Sequence, residues 1–111
     1  MQEKLIDVET ALDRLGGDRE FLFELLHDLV DQLNEATQNL QNAVSAADYY
    51  NVRAISHGMK GAASNLGADR IAAYFSELEK KSLNEDLNDA DALIGKIRQA
   101  HLEMVDFLGN Q

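Results

Sequence analysis

A long run of apolar residues at helical spacing constrains this chain more than any other feature. From residue 22 to residue 44, apolar side chains recur every three or four positions, which places them on one face of an α-helix of about six turns. Such a helix must bury its apolar face against other helices, so the run predicts a helical bundle. The residues of this face are Leu22, Leu25, Leu26, Leu29, Leu33, Ala36, Leu40, Ala43 and Val44.

The helix boundaries are marked by aspartates and glycines. Proline is absent, and most glycines lie between the periodic segments, a pattern typical of helices joined by short turns. Asp7, Asp18 and Asp48 each precede an apolar periodic segment, where a carboxylate caps the first backbone N–H groups. We therefore expect three helices to begin directly after these aspartates.

The helix ends follow from the same punctuation. The short first helix is predicted to stop at Gly16 and Gly17, the long helix near Ala46 or Ala47, and the third helix at Gly67. A fourth helix carries Ile71, Phe75, Leu78 and Ser82, and a polar connection follows it, with Asn88 or Asp86 as the next cap. The last helix carries Ala90, Leu93, Ile94, Ile97, Met104 and Leu108.

These segments predict an all-α fold. Four amphipathic helices with short links favour an up-down-up-down antiparallel four-helix bundle, and the short N-terminal helix is expected to act as a lid. The 111 residues leave room for a single domain, 1–111.

Composition narrows the function. A formal net charge of −10 repels a phosphate backbone, which argues against nucleic acid and for a protein partner. The chain has no cysteine, so it has neither disulfides nor thiolate metal sites, and no apolar run is long enough to span a bilayer. We expect a cytoplasmic monomer that does not insert into membranes.

His57 is the residue that the bundle does not explain. In the third helix, Val52, Ile55, Met59, Ala62, Ala63 and Leu66 form the apolar stripe. His57 lies roughly 170° from the centre of that stripe, so its imidazole is expected to face water.

The neighbours of His57 are basic or small. Arg53, Lys60, Gly61 and Ser64 lie within about 60° of it on the helical projection. Glycine inside a helix costs roughly 0.5 to 1 kcal/mol relative to alanine, and this helix bears two, Gly58 and Gly61. Bare backbone beside an exposed imidazole and two cations indicates a site for something large that carries or acquires negative charge.

This stretch resembles the active motif of histidine-containing phosphotransfer (HPt) domains. The matching residues are His57, Lys60, Gly61, Ala62 and Ala63, followed by Leu66, Gly67 and Ala68. The opening of the chain is similar to the same family at Asp7, Ala11, Leu12, Leu15, Gly16, Gly17, Asp18 and Phe21. The resemblance therefore covers nearly the whole chain.

The resemblance implies a phosphorelay intermediate. His57 would accept a phosphoryl group from an aspartate of one response-regulator receiver domain and pass it to an aspartate of another. Lys60 and Arg53 would offset the phosphoryl charge, while small residues such as Ala54, Gly58, Gly61 and Ser64 would belong to the docking surface. The alternative within the same family is an adaptor that docks receivers without being phosphorylated.

The same resemblance sets the expected cofactors and partners. The chain would need no cofactor of its own, because Mg²⁺ would be bound by the receiver. The resemblance also allows a hybrid sensor histidine kinase as a partner. The sequence contains neither a P-loop motif nor a kinase-type glycine loop, so we expect a phosphohistidine carrier without its own ATP site rather than an autonomous kinase.

The turn at Gly67 predicts a partner for His57. In antiparallel helices, residues equally far from the turn come level, so positions 78 to 80 are expected beside His57. Glu79 projects toward the third helix, whereas Glu77 points away. A carboxylate on the imidazole Nδ1 would leave Nε2 as the nucleophile, and HPt domains often have Glu or Gln at this position. The competing interpretation is an exposed acid at a helix edge.

Three other patterns predict structure rather than chemistry. Glu24-x-x-His27 matches one half of a bundle metal site, but it occurs once and lies opposite the leucine face, so no metal is expected. His101 lies in an apolar stripe and is expected to be a buried or half-buried histidine that is hydrogen-bonded to a neighbour. Ser64 and His57 lie on a convex helix without an oxyanion hole, which makes hydrolysis an unfavourable interpretation.

Overall fold

All regular structure in the described part of the chain is helical. The computed structural model describes residues 4–111. Its helices are α1 (Val8–Arg14), α2 (Arg19–Ser45), α3 (Tyr49–Asn65), α4 (Asp69–Leu83) and α5 (Ala90–Gly109). The predicted all-α fold is confirmed. The single domain over 1–111 stays a prediction, and its residues 1–3 lie outside the described range.

The three predicted aspartate caps are present. The side chains of Asp7, Asp18 and Asp48 each accept a hydrogen bond from the backbone N–H three residues further on. Each cap satisfies one of the donors that the first turn of a helix leaves without a partner. The three capping aspartates thus fix where α1, α2 and α3 begin.

The predicted cap of the last helix is wrong. The helix is preceded by Asp89, which has a left-handed backbone (φ 65°) and no capping side-chain bond. Asp86 instead accepts from the backbone N–H of Asn88 at 3.0 Å, a turn in which the carboxylate serves the backbone two residues on. Because this turn uses the carboxylate, neither Asp86 nor Asn88 caps α5.

Side-chain pairs at both ends show that α2 and α5 are antiparallel. Arg19, at the start of α2, donates to Gln111 beyond the end of α5 at 3.1 Å. Gln41, near the end of α2, donates to Asp91 at the start of α5 at 3.0 Å. The short links 46–48 and 66–68 reverse the chain between α2 and α3 and between α3 and α4. Together with the packing of α4 on α5, these pairs close the up-down-up-down bundle.

The core is mainly aliphatic and is assembled from all four long helices. The apolar face of α2 is buried along most of its length, and Phe75 of α4 is the largest fully buried side chain. Met104 is buried, and Met59 packs half-buried against the core. Within residues 4–111, no helix is both long and apolar enough to cross a membrane.

The N-terminal segment is fastened to the turn between α3 and α4. The backbone N–H of Asp7 donates to the carbonyl of Gly67 at 2.8 Å, and the N–H of Arg70 donates to the carbonyl of Lys4 at 2.9 Å. Gly67 has a φ of +74°, and a Cβ at this position would lie 2.6 Å from the Asp7 carbonyl oxygen. Glycine is therefore required here on two grounds, and the lid holds the hairpin that carries the candidate site.

Candidate functional site

His57 projects from the middle of α3 into solvent. The buried face of α3 includes Val52 and Ala63, both with no exposed surface, while the His57 side chain is 71% exposed. The helix begins at the Asp48 cap, and the burial of its apolar residues fixes its rotation about its own axis. The orientation predicted for His57 is thus the observed one.

One carboxylate joins His57 and Lys60. Glu79 of α4 accepts from both side chains: its Oε2 lies 2.7 Å from the imidazole Nδ1, and its Oε1 lies 2.6 Å from the Lys60 ammonium nitrogen. The Glu79 side chain is only 17% exposed. The contact with Nδ1 is the one that the hairpin geometry predicts, whereas the pairing of Lys60 with Glu79 was not foreseen.

The charge of Glu79 determines which ring nitrogen of the neutral imidazole carries the proton. The hydrogen bond from Lys60 lowers the pKa of Glu79 below its ordinary value, and the contact with His57 lowers it further, although burial opposes both. Glu79 is therefore ionised near neutral pH, and an ionised carboxylate can only accept. The short contact consequently requires the proton on Nδ1, and in the neutral ring this leaves the lone pair on Nε2.

A shallow groove of about 500 Å³ runs beside His57 between α3 and α4. Its walls include Tyr50, Arg53, Ala54 and Leu83. The Arg53 guanidinium lies 5.8 Å from the centre of the Tyr50 ring, close enough for a cation–π contact. The groove thus brings Arg53 and Ala54 together with His57, as the sequence predicted.

Two exposed apolar side chains of this groove were missed. Tyr50 is 70% exposed and Leu83 is 58% exposed. Tyr50 lies two turns before His57 on the same face of α3, and Leu83 lies one turn after Glu79 on α4. That spacing was available in the sequence and could have indicated both residues.

The two glycines of α3 have no packing role within the chain. A Cβ built on Gly58 or on Gly61 would meet no heavy atom within 4 Å beyond the neighbouring helical backbone. Both positions are exposed. The cost of glycine in a helix is therefore not repaid by close contact with another part of the described chain.

Ser64 lies apart from His57. Seven helical residues separate the two by roughly 10 Å along the axis of α3. The Ser64 side chain is exposed, and its backbone carbonyl accepts from the Arg14 guanidinium at 2.6 Å. The structure therefore joins the Ser64 backbone to the lid helix and does not bring the Ser64 side chain to the imidazole.

The other titratable candidates have ordinary surroundings. Glu24 and His27 are both exposed on α2. His101 is half-buried, and its Nε2 lies 3.1 Å from the Val30 carbonyl oxygen, so the predicted hydrogen bond of this histidine is confirmed. Across residues 4–111, no three histidine or acidic side chains converge into a set that could hold a metal ion.

Comparison with known proteins gives a consistent result. The model of the Hpt domain family matches residues 24–106. The phosphorelay intermediate protein rdeA of Dictyostelium discoideum is 25% identical over 107 residues, which cover 96% of this chain and 42% of that protein. The chain thus spans about two fifths of the length of this relative.

A solved structure agrees in fold. The crystal structure of histidine-containing phosphotransfer protein B (HptB) from Pseudomonas aeruginosa PAO1 superposes with a TM-score of 0.85, at 25% identity, over 96% of this chain and 92% of that one. The family model covers α3 and α4 completely, and with them His57, Lys60 and Glu79. The chain belongs to the Hpt domain family, the histidine-containing phosphotransfer domains of phosphorelays.

Proposed function

We propose that this chain is a phosphorelay intermediate in which His57 carries the phosphoryl group. The observation that carries the proposal is the 2.7 Å contact between His57 Nδ1 and Glu79. This contact holds the proton on Nδ1, so Nε2 of the exposed ring keeps a free lone pair. His57 accepts from a phosphoaspartate of one receiver domain and donates to an aspartate of another.

The transfer is a displacement at phosphorus. The Nε2 lone pair forms the N–P bond in line with the aspartyl oxygen, the P–O bond breaks, and its electron pair stays on the aspartate carboxylate. The ring then carries a phosphoryl group on Nε2 and a proton on Nδ1, so it is cationic. Its charge faces the Glu79 carboxylate, and the second transfer reverses these steps.

Lys60 changes partner during this cycle. In the unphosphorylated chain its ammonium is bound to Glu79, and its side chain is 35% exposed. It lies three residues after His57, on the neighbouring turn of the same helix. We propose that the ammonium swings from Glu79 to the phosphoryl oxygens, where a charge-assisted contact offsets the new negative charge.

The remaining site residues belong to the docking surface in this proposal. Arg53 supplies a second cation beside the groove, and Ala54, Gly58 and Gly61 leave room for the approaching receiver. Ser64 lies at the far edge of that surface. The partners are receiver domains, with a hybrid sensor kinase further up the relay.

The chemistry is divided between the partners. The receiver supplies the Mg²⁺ ion, and this chain contributes no cofactor and no ATP site, so it acts as a carrier and not as a kinase. We propose that it works as a cytoplasmic monomer, because its chemistry requires only one exposed histidine and a transient partner.

The test is transfer of label from a receiver. A panel of purified receiver domains is charged with ³²P-acetyl phosphate, and the receiver that transfers fastest to this chain is retained. We expect label that is acid-labile and base-stable, lost in His57→Gln and retained in His27→Gln, which alters another exposed histidine. Receiver binding without label would instead indicate the adaptor, and label retained in His57→Gln would contradict the proposal.

A further inference from the structure

Ser56 precedes His57 directly but lies inside the bundle. The side chain of His57 is 71% exposed, whereas Ser56 has no exposed surface. The hydroxyl oxygen of Ser56 is buried, and within residues 4–111 it has no hydrogen-bond partner. The proposed transfer chemistry assigns no role to this residue.

The hydroxyl group does not account for serine at position 56. Two other buried polar side chains of the described chain have partners: Thr37 donates to the Asn34 carbonyl at 3.0 Å, and Ser82 donates to the Glu79 carbonyl at 2.7 Å. A buried hydroxyl without a partner opposes folding, and a larger aliphatic side chain would bury more apolar surface. The small volume of Ser56 is therefore the property that its surroundings can use.

Ser56 lies where α3 faces α4. Lys60 follows Ser56 by one helical turn, so the two residues share one side of α3. From this side the ammonium of Lys60 reaches Glu79 of α4, and His57 reaches the same carboxylate. Because Ser56 is buried on that side, it lies on the contact line between the two helices.

The side chains on a contact line set how closely two helices approach. The axes of packed helices lie about 8 to 10 Å apart, and the distance depends on the side chains at the contact. Glu79 bridges the gap with two short contacts, 2.7 Å to His57 Nδ1 and 2.6 Å to the Lys60 nitrogen. An N–H···O contact of about 3.6 Å is no longer a hydrogen bond. A separation larger by about 1 Å would therefore lengthen both contacts past this limit.

We infer that Ser56 is a positioning residue, whose small volume lets α4 approach α3 closely enough for Glu79 to hold both His57 and Lys60. The inference rests on the proposed function and deepens it, because it names the residue that keeps the proton on Nδ1 and Nε2 free. Since Ser56 is fully buried, it acts through Glu79 and not by contact with a receiver.

The test enlarges the side chain at position 56 and observes the His57 ring by nitrogen-correlated NMR. Ser56→Ala keeps the volume small, whereas Ser56→Val adds bulk on the contact line. Ala100→Val is the matched control, because Ala100 is 1% exposed and belongs to α5. The control overfills the core at a position outside the contact between α3 and α4.

In Ser56→Val, the ratio of the Nδ1–H to the Nε2–H tautomer should fall several-fold, up to about fivefold, because the carboxylate no longer holds the ring proton. Transfer from a phosphorylated receiver should slow by up to the same factor. Ser56→Ala should keep the parent ratio and raise the melting temperature, since it removes the unpartnered hydroxyl. Ala100→Val should lower the melting temperature through overpacking and keep the parent ratio.

A parent tautomer ratio in Ser56→Val, or an equal shift in Ala100→Val, would overturn the inference, because position 56 would then serve packing alone. Ser56→Thr adds a single methyl group and decides the same question if the valine variant does not fold. Failure of the proposed function gives a different result. A parent chain that takes no label from any phosphorylated receiver would overturn that function, while the ring shifts would still decide whether Ser56 positions Glu79.

Discussion

Replacing Glu79 separates its two contacts with the site. Glu79→Gln keeps the shape of the side chain and one oxygen that can accept from His57 Nδ1, but it removes the negative charge that pairs with the Lys60 ammonium. Glu79→Ala removes both contacts. The pair of variants therefore distinguishes orientation of the imidazole from charge pairing with the lysine.

The exposure of the His57 side chain sets the strength of its hydrogen bond to Glu79. A hydrogen bond to a charged group contributes about 1.5 to 3 kcal/mol when desolvated. The His57 side chain is 71% exposed, so water screens the contact and about 1 kcal/mol is a reasonable value. This corresponds to roughly a fivefold change in the ratio of the two imidazole tautomers.

The assay is nitrogen-correlated NMR of the His57 ring at a pH where the imidazole is neutral. The parent chain and Glu79→Gln should show the proton mainly on Nδ1, and Glu79→Ala should shift the population toward Nε2–H by that factor. Transfer from a phosphorylated receiver should slow in Glu79→Ala by up to the same factor. Identical ring nitrogen shifts in all three proteins would refute the claim that Glu79 fixes the tautomer.

The Glu79 contacts also predict how stability depends on pH. The pKa of Glu79 is lowered in the folded chain, chiefly by Lys60, relative to about 4.3 for an unfolded glutamate. A lowered pKa stabilises the fold at pH values above the pKa of the unfolded state. This contribution is lost as the pH falls through the pKa of the folded state. The difference in melting temperature between the parent chain and Glu79→Gln should therefore be fully present near neutral pH and should shrink as the pH falls below about 4.3. A difference that grew at acid pH would contradict this sign.

Substitutions at three further positions test other parts of the molecule. Lys60→Ala should slow transfer from the receiver about tenfold, measured by rapid quench, because the phosphoryl oxygens lose a charge-assisted contact; an unchanged rate would make the lysine a surface residue. Gly61→Ala should raise the melting temperature by a few degrees, since its Cβ meets open space, and should slow transfer modestly. Gly61→Gln should transfer very poorly. Parent transfer rates in both variants would mean that the docking surface lies elsewhere. Gly67→Ala should lower the free energy of unfolding in urea by about 2 kcal/mol or more, because a Cβ at φ +74° meets the Asp7 carbonyl; a smaller loss would mean that the lid segment moves away without cost.

The sequence was sufficient for the helices and for the main contact of the site. Helical periodicity fixes which face of α3 is buried, and therefore where His57 points. The three-residue turn at 66–68 fixes the level of α4 relative to α3, which brought Glu79 to His57. Both inferences depend only on backbone geometry that is nearly the same in every antiparallel helical hairpin.

Apart from Tyr50 and Leu83, the features that were missed depend on side-chain conformation, on loops or on the packing of neighbouring helices. Lys60 reaches Glu79 through a long side chain whose rotamer is set by the carboxylate, and no spacing rule specifies that choice. The left-handed backbone of Asp89 belongs to an irregular connection, where the Asp86 turn competed with the predicted cap. The groove beside His57 required the packed helices, because α4 supplies its opposite wall.

The most direct test of the account is the position of the phosphoryl group on the ring. Chain labelled with ¹⁵N in histidine is phosphorylated by the receiver, and coupling between phosphorus and the ring nitrogens is measured by NMR. We expect phosphorus on Nε2 of His57, with the proton retained on Nδ1 beside Glu79. Phosphorus on Nδ1, or on either of the other two histidines, would contradict it.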